Sequence, residues 1–217
     1  MKQTGTWIIS LVFILLMLGV AAWIYPQLPA QAAIHWDANG VANGWAPRFW
    51  AAAVPVMLMV GLALLFAILP VISPRKFEIA PFARVYGIVV LATQAFLLVV
   101  GTVALFAGAG HHVSMELVAP VAVGALLIVI GNFMGKFRKN FFIGIRTPWT
   151  LTSDVVWERT HRLAGWLFVL AGLAWIVGGL LHVSPAVLVV AALAAGFIPA
   201  IYSYFLYRRV EDRPGTG

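Results

Sequence analysis

Six long apolar stretches, none of which contains Asp, Glu, Lys or Arg, dominate this sequence of 217 residues. A helix needs about 20 apolar residues to cross about 30 Å of hydrocarbon, and each stretch approaches or exceeds that length. Only 10% of the residues are charged, compared with about a quarter in a soluble domain. The sequence therefore predicts an all-α, polytopic membrane protein with the spans Trp7–Tyr25, Phe49–Ile72, Val85–Gly110, Leu117–Phe133, Leu163–Leu181 and Pro185–Tyr207.

The basic residues predict how these spans are oriented. If consecutive spans cross in opposite directions, all but one of the 14 Lys and Arg residues fall on the same side, the exception being Arg48. Because Lys and Arg are enriched in cytoplasmic loops, we expect both termini in the cytoplasm. The net charge of +7 then follows from orientation signals that also face anionic inner-leaflet lipids. We predict the lipid bilayer as a partner and no binding of nucleic acid.

The first span has an alternative interpretation as a cleaved signal peptide, because Lys2 precedes the apolar run and Ala30-Gln31-Ala32 resembles a cleavage site. The run is longer than the roughly 7–15 residues of a signal-peptide core. We therefore expect this span to be a retained helix.

The loops divide the predicted chain into two units. Residues 1–72 form a two-helix unit with an outer loop of residues 26–48. Residues 73–217 form a four-helix unit with a cytoplasmic loop of residues 134–162, called loop four from here on. The outer loop has two Asn-Gly pairs, Asn39-Gly40 and Asn43-Gly44, which suit positions with positive φ. We expect it to form a compact hairpin or an Ω-like loop.

The outer loop also contains the first group of candidate ligand-contact residues. His35 and Asp37 point the same way on a strand, which makes them weak metal candidates, but a zinc site needs three or four ligands. The alternative for His35 is packing on Trp36 or Trp45 with hydrogen bonds to the loop backbone. The chain has no cysteine, and we predict no bound metal and no cofactor. The candidate contact residues are His35, Trp36, Asp37, Asn39, Gly40 and Trp45.

Loop four interleaves Lys and Arg with aromatic residues in its first part, a mixture that suits a lipid headgroup layer. Thr147 precedes a proline and is therefore expected outside the helical region. Thr152 or Ser153 can cap a new amphipathic helix with Asp154 in its first turn. We expect this short cytoplasmic helix to continue into the fifth span.

The predicted helix in loop four places several polar residues together. His161 shares a face with Asp154 and with Trp157 or Glu158. Glu158 and Arg162 are spaced for an i,i+4 ion pair. A His beside a carboxylate permits acid–base chemistry, but the chain has no nucleophile motif or P-loop at a diagnostic spacing. We predict no enzymatic activity and interpret these residues as a cluster that locks loop four to the helices.

Polar and small residues inside the spans bear on transport and on packing. No span has an ionisable residue at mid-depth, which argues against a proton-coupled transporter. A cavity lined by both Gln94 and Asn132 would favour a small transporter or a lipid-handling protein. Small residues at four-residue spacing permit close helix packing; they are Ala191 with Ala195 and Ala192 with Gly196.

Three segments around loop four, in this order, resemble the signature of the SdpI family. They are residues 131–136, 140–151 and 157–165. The outer loop resembles the N-terminal domain of unknown function that is often found in the same proteins, through Leu28-Pro29, Ile34-His35-Trp36, Gly40 and Gly44-Trp45. The signature residues matched here are Asn132, Gly135, Asn140, Gly144, Arg146, Thr147, Pro148, Trp149, Thr150, Trp157, His161 and Arg162.

This resemblance implies a bacterial plasma-membrane protein that protects a producer cell from a secreted peptide toxin. It also implies a relay of toxin presence to a regulator, a transcriptional repressor held at the membrane. Our hypothesis is that the outer loop contacts the toxin and that loop four is the inner signalling or structural element. A small transporter or lipid-handling protein is one alternative. A metal-dependent membrane enzyme is another, which stoichiometric zinc lost on His35→Ala would favour.

Overall fold

The computed structural model describes residues 3–37, 40–74 and 78–211. This part of the chain is mostly helical, and six of its helices are long and apolar enough to cross a membrane, one for each predicted span. The elements are α1 (Gln3–Ile24), β1 (Gln31–Trp36), β2 (Ala42–Pro47), α2 (Arg48–Ile72), α3 (Ala83–Gly108), α4 (Met115–Met134), α5 (Pro148–Thr152), α6 (Asp154–Leu180) and α7 (Pro185–Glu211).

The outer loop is the exception to the predicted all-α fold, because it forms a two-stranded antiparallel hairpin of β1 and β2. The register is irregular around His35. Asp37 shapes the turn: its Oδ1 accepts from Val41 N–H at 2.9 Å, and its carbonyl oxygen accepts from Gly40 N–H at 3.1 Å. Gly40 has a φ of +74°, a conformation that glycine adopts without a Cβ clash.

The helices form two packed groups. α1, α2 and α3 pack on one another, α4, α6 and α7 do the same, and α3 also packs on α4. One buried cluster lies beneath the hairpin and includes Met17, Met59 and Leu105. A second cluster lies beneath loop four and includes Tyr86 and Trp157. The predicted division of the chain after residue 72 stays a prediction.

The connections lie at two opposite ends of the helices. The hairpin end contains the β1–β2 hairpin and the α3–α4 turn. There Gln27 Oε1, in the segment between α1 and β1, lies 3.1 Å from His111 Nε2 in the α3–α4 turn. The loop-four end contains residues 135–153 and the last turns of α7. There Phe137 packs against Phe82, just before α3.

Large apolar side chains cover the outer surface of the helices. Val71 is 83% exposed, Trp166 68% and Phe197 63%. Contiguous apolar exposure of this extent is unfavourable in water and marks a surface covered by another apolar phase. Together with the lengths of the helices, it identifies the chain as a multi-pass membrane protein.

The proline near the end of α2 leaves a backbone carbonyl that a neighbouring helix satisfies. Pro70 lies inside α2 and has no N–H to donate to the carbonyl oxygen of Phe66, four residues earlier. The Tyr86 hydroxyl on α3 donates to that oxygen instead. An unsatisfied carbonyl in hydrocarbon costs several kcal/mol, roughly, so this bond explains how α2 tolerates the proline.

The closest helix contact is between α4 and α6, where two glycine pairs bring the backbones together. A Cβ placed on Gly172 would lie 2.5 Å from the carbonyl oxygen of Gly124, and one on Gly165 would lie 2.8 Å from that of Gly131. The pairs are about two helical turns apart on each helix. The small residues that the sequence offered for close packing lie on α7 instead, and Gly196 among them faces open space.

We expect Gly172→Ala to destabilise the protein, because the new methyl group would meet the backbone of α4. Overpacking of this kind costs about 1–3 kcal/mol. The matched control is Gly196→Ala, which we expect to be neutral or stabilising, since Ala favours a helix by about 1 kcal/mol over Gly. Thermal unfolding in detergent, followed by size-exclusion chromatography, measures both. Equal melting temperatures for the two variants would contradict the close contact.

Candidate functional site

Asn140 organises the irregular backbone in the first part of loop four. Its side chain is fully buried. Nδ2 donates to the carbonyl oxygens of Arg138 and Ile143, both at 2.9 Å. Oδ1 accepts from Phe142 N–H at 2.9 Å and from Ile143 N–H at 2.7 Å. The amide therefore has partners for both of its donors and for its oxygen, as a buried polar group requires.

His161 ties loop four to the start of α6. Its Nδ1 donates to the carbonyl oxygen of Trp157 at 2.8 Å, and its Nε2 accepts from Ile145 N–H at 3.0 Å. Because Nε2 accepts a backbone hydrogen bond, the imidazole is neutral and carries its proton on Nδ1. The buried ring stacks on Trp157, with 3.9 Å between the ring centroids. Both nitrogen atoms are thus engaged in holding loop four.

Gly144 lets the chain pass closely over the His161 ring. Its φ is +108°, and a Cβ at this position would lie 2.3 Å from His161 Nε2. A second contact lies nearby, since Trp157 Nε1 donates to the carbonyl oxygen of Phe137 at 2.8 Å. The first part of loop four is therefore attached to α6 at two points.

Thr147 and Thr150 form a capping box at the start of α5. Thr147 Oγ1 accepts from Thr150 N–H at 3.2 Å, and Thr150 Oγ1 accepts from Thr147 N–H at 2.9 Å. These bonds satisfy donors that a helix N-terminus leaves unpaired. Pro148 occupies the first helical position, where its missing N–H has no cost. The predicted extended conformation of Thr147 is confirmed by its φ of −106° and ψ of 161°.

Ser203 on α7 connects α5 to the last helix, and sequence analysis did not identify it. Its buried Oγ donates to the carbonyl oxygen of Ala200 at 2.6 Å, accepts from Trp149 Nε1 and lies 3.1 Å from Thr147 Oγ1. The Trp149 ring also meets Tyr204 edge-on, at 5.3 Å between centroids. The available signal was Ser203 itself, which is the single Ser or Thr in this apolar span.

α6 begins as predicted, with Ser153 Oγ accepting from Val156 N–H at 3.3 Å, and it continues to Leu180 without a break. Within the described residues, Asp154 pairs with Lys139 at 2.6 Å. The predicted ion pair between Glu158 and Arg162 is wrong. Both side chains are exposed, where such a pair gains too little to offset the ordering of two long side chains.

The remaining signature residues lie on the surface of the loop-four end. Arg146 is exposed, and its Nη1 donates to the carbonyl oxygen of Phe141 at 2.8 Å. Asn132, Gly135, Pro148 and Arg162 are exposed as well. Gln94, in contrast, is fully buried and donates to the carbonyl oxygen of Met59 at 2.9 Å. Gln94 and Asn132 therefore do not line one enclosed cavity.

The hairpin carries the outer-loop candidates. His35 Nδ1 lies 2.5 Å from Asn43 Oδ1 on the opposite strand, a partner that sequence analysis did not include. Trp45 is 59% exposed, whereas Trp36 and Asp37 line a cavity with residues of α4 and α6. Within residues 3–37, 40–74 and 78–211, no three His, Cys, Asp or Glu residues are grouped as metal ligands. Asn39 lies outside the described residues.

The fold and these contacts define a class of protein. It is a membrane protein with six spans, a hairpin at one end, and a loop held by side-chain hydrogen bonds at the other. The model of a family described as the SdpI/YfhL protein family matches residues 136–203, and that of a domain of unknown function (DUF1648) matches residues 12–60. The chain is therefore similar to the SdpI/YfhL protein family over the segment that contains most of loop four, α6 and the greater part of α7.

A curated relative is similar to this chain over nearly its whole length. The Immunity protein SdpI of Bacillus subtilis (strain 168) is 28% identical over 209 residues, which cover 94% of this chain and 97% of the relative. No solved structure matches.

We expect Gly144→Ala to open loop four locally, because the substitution introduces both a strained φ and a methyl group against His161. Each effect costs about 1–3 kcal/mol. Limited trypsin digestion in detergent should then cleave loop four about tenfold faster, since cleavage follows the population of the open form. Gly135→Ala is the control, because a Cβ there meets only the Arg162 Cα, at 3.9 Å. Equal cleavage rates would contradict the assigned role of Gly144.

Proposed function

We propose that this chain gives a bacterial cell resistance to a secreted antimicrobial peptide toxin, from within the plasma membrane. The observation that carries the proposal is the likeness to the Immunity protein SdpI, which extends along 94% of the chain. The two family models match the parts of the chain that contain the hairpin and most of loop four. Both models also extend into the neighbouring spans, and we assign the contacts that give resistance to the two ends.

The distribution of Lys and Arg supports an orientation with the hairpin outside the cell and loop four in the cytoplasm. In this orientation a secreted peptide meets the hairpin first. Ile34, Val41 and Trp45 are 48%, 60% and 59% exposed, which gives the hairpin an apolar surface for an amphipathic peptide. His35, Trp36, Asp37, Asn39, Gly40 and Trp45 remain our candidate contact residues.

Loop four is our candidate for the inner element that relays toxin binding to a cytoplasmic regulator. It is hydrogen-bonded to α6 through His161 and to α7 through Ser203. A displacement of one helix against the other would therefore strain its contacts and change its exposed face, which includes Arg146. This relay is a two-state hypothesis in which toxin binds one state more tightly than the other.

Neither alternative function has gained a supporting observation. A transporter or lipid-handling protein would be favoured by a cavity shared by Gln94 and Asn132, and the two residues have different surroundings. A metal-dependent enzyme would be favoured by zinc bound at His35 and Asp37, and each of these side chains has another hydrogen-bond partner.

We expect fusions of reporter proteins to place the C-terminus in the cytoplasm and the α3–α4 turn outside the cell. Green fluorescent protein fused after Gly217 should fluoresce, and alkaline phosphatase inserted in the α3–α4 turn, after His112, should be active. Swapping the two reporters should abolish both signals, because each works on one side of the membrane only. The opposite pattern would reverse the roles assigned to the hairpin and loop four.

We expect this chain to protect a sensitive bacterial strain from at least one secreted peptide toxin in a survival assay, and His35→Ala and Arg146→Ala each to abolish protection. The first variant removes the contact across the hairpin, and the second removes a guanidinium from the exposed face of loop four. The matched controls are His112→Ala at the hairpin end and Arg159→Ala at the loop-four end, both exposed residues.

Membrane insertion of every variant is checked by fractionation and blotting. Loss of protection in the controls as well would show a general sensitivity to substitution and not two sites. Wild-type survival with His35→Ala and Arg146→Ala would remove both residues from the proposed mechanism.

A further inference from the structure

A cavity of about 510 Å³ lies at the hairpin end, between the hairpin turn, the first turns of α4, the end of α6 and the start of α7. Its walls include two indole rings, Trp36 and Trp175, and two acidic residues, Asp37 and Glu116. Leu188 and Pro120 provide apolar surface between them. The cavity therefore combines negative charge, aromatic residues and apolar walls in one space that is partly open to the outside.

The fold brings the two acidic residues to this cavity from distant parts of the sequence. Gly40 turns with a φ of +74°, and a Cβ there would lie 3.6 Å from Glu116 Cβ. The hairpin turn thus rests on the first turn of α4. Glu116 takes part in this contact, and Asp37, three residues before Gly40, lines the same space.

The surrounding charge favours a cation. None of the described residues that line the cavity is Lys or Arg. Arg48, at the same end of the molecule, lies over the Tyr25 ring at 5.8 Å from its centroid, and it does not line the cavity. Two carboxyl groups attract a positive charge, and the face of an indole ring binds an ammonium group through its quadrupole.

The turn between α6 and α7 adds His182 to the same wall. His182 has a φ of +52°, which is uncommon for a residue other than glycine. The Val183 N–H donates to the carbonyl oxygen of Gly178 at 2.8 Å, and the His182 N–H donates to that of Gly179 at 3.4 Å. These two bonds form the Schellman motif that ends many helices, and they fix the turn at the cavity.

We propose that this cavity binds a primary ammonium group carried on an apolar peptide segment. The ammonium group lies between Asp37 and Glu116, and the apolar segment packs on the indole rings and Leu188. The identification of the ligand as a peptide rests on the proposed function, and the cavity adds the chemical group by which the toxin is recognised. The ammonium group belongs either to the peptide N-terminus or to a Lys side chain.

The test measures binding of three synthetic peptides to the full chain in lipid nanodiscs by titration calorimetry. All three have the same short Leu- and Ala-based sequence. One has a free N-terminus and no Lys, one is acetylated and has a single Lys, and one is acetylated without Lys. We expect one of the first two to bind about tenfold more tightly than the third, from two charge contacts and one cation–π contact. The tighter peptide identifies the source of the ammonium group.

The double variant Asp37→Asn with Glu116→Gln should abolish this preference. Asn keeps the oxygen that accepts from Val41 N–H, so the hairpin turn retains its hydrogen bond. Glu158→Gln, at the exposed loop-four end, is the matched control and should keep the preference. High salt should weaken the preference, because charge contacts near the surface are screened.

Equal affinity for all three peptides would overturn the proposal, as would a preference that persists in the double variant. The survival assay reports on the proposed function separately. Protection without an ammonium preference would reject the cavity and keep resistance to the toxin. An ammonium preference without protection would keep the cavity and reject resistance.

Discussion

The backbone hydrogen bonds of a non-helical segment at the membrane surface are the constraint on which the loop-four end depends. Between α4 and α5 no helix pairs the N–H and C=O groups, and a buried polar group without a partner costs about 1–3 kcal/mol. Asn140, His161 and Thr150 provide the missing partners. Asn140 donates from Nδ2 and accepts at Oδ1. The neutral imidazole of His161 donates from Nδ1 and accepts at Nε2, and the single hydroxyl oxygen of Thr150 both donates and accepts.

This constraint explains why residue type matters more than hydrophobicity in loop four. Replacing Asn140 by an apolar residue of similar size would keep the packing and remove partners from four backbone groups. Gly144 follows from the same arrangement, because the Ile145 N–H reaches His161 Nε2 only if the preceding residue has no Cβ. The buried signature residues are therefore those that make the hydrogen bonds of loop four. These bonds fix loop four against α6, whether or not the loop takes part in signalling.

The spans could be predicted from the sequence because hydropathy and helix caps are local properties. The start of α6 at Asp154 follows from the Ser153 cap, and the hairpin turn follows from the first Asn-Gly pair, at Gly40. The expectation of a positive φ at the second pair is wrong, because Asn43 and Gly44 lie within strand β2. The contact of Gly124 with Gly172 could not be predicted, since it depends on which helices become neighbours. Ser203 was missed for the same reason. The candidate residues of loop four came from a family resemblance, and their physical roles required the structure.

Like α7, which lines the hairpin-end cavity at Leu188 and is bonded to loop four through Ser203, α6 connects the two ends of the molecule. This helix has 27 residues and is about 40 Å long, with His161 near one end and Trp175 on the cavity wall near the other. The glycine contacts lock its backbone to that of α4, so the two helices resist bending independently and can transmit a displacement only as one body. α7 has no such backbone contact at Gly196. Loop four is bonded to α6 through His161 and to α7 through Ser203. Motion of α7 against the α4–α6 pair would therefore change the exposed surface of loop four.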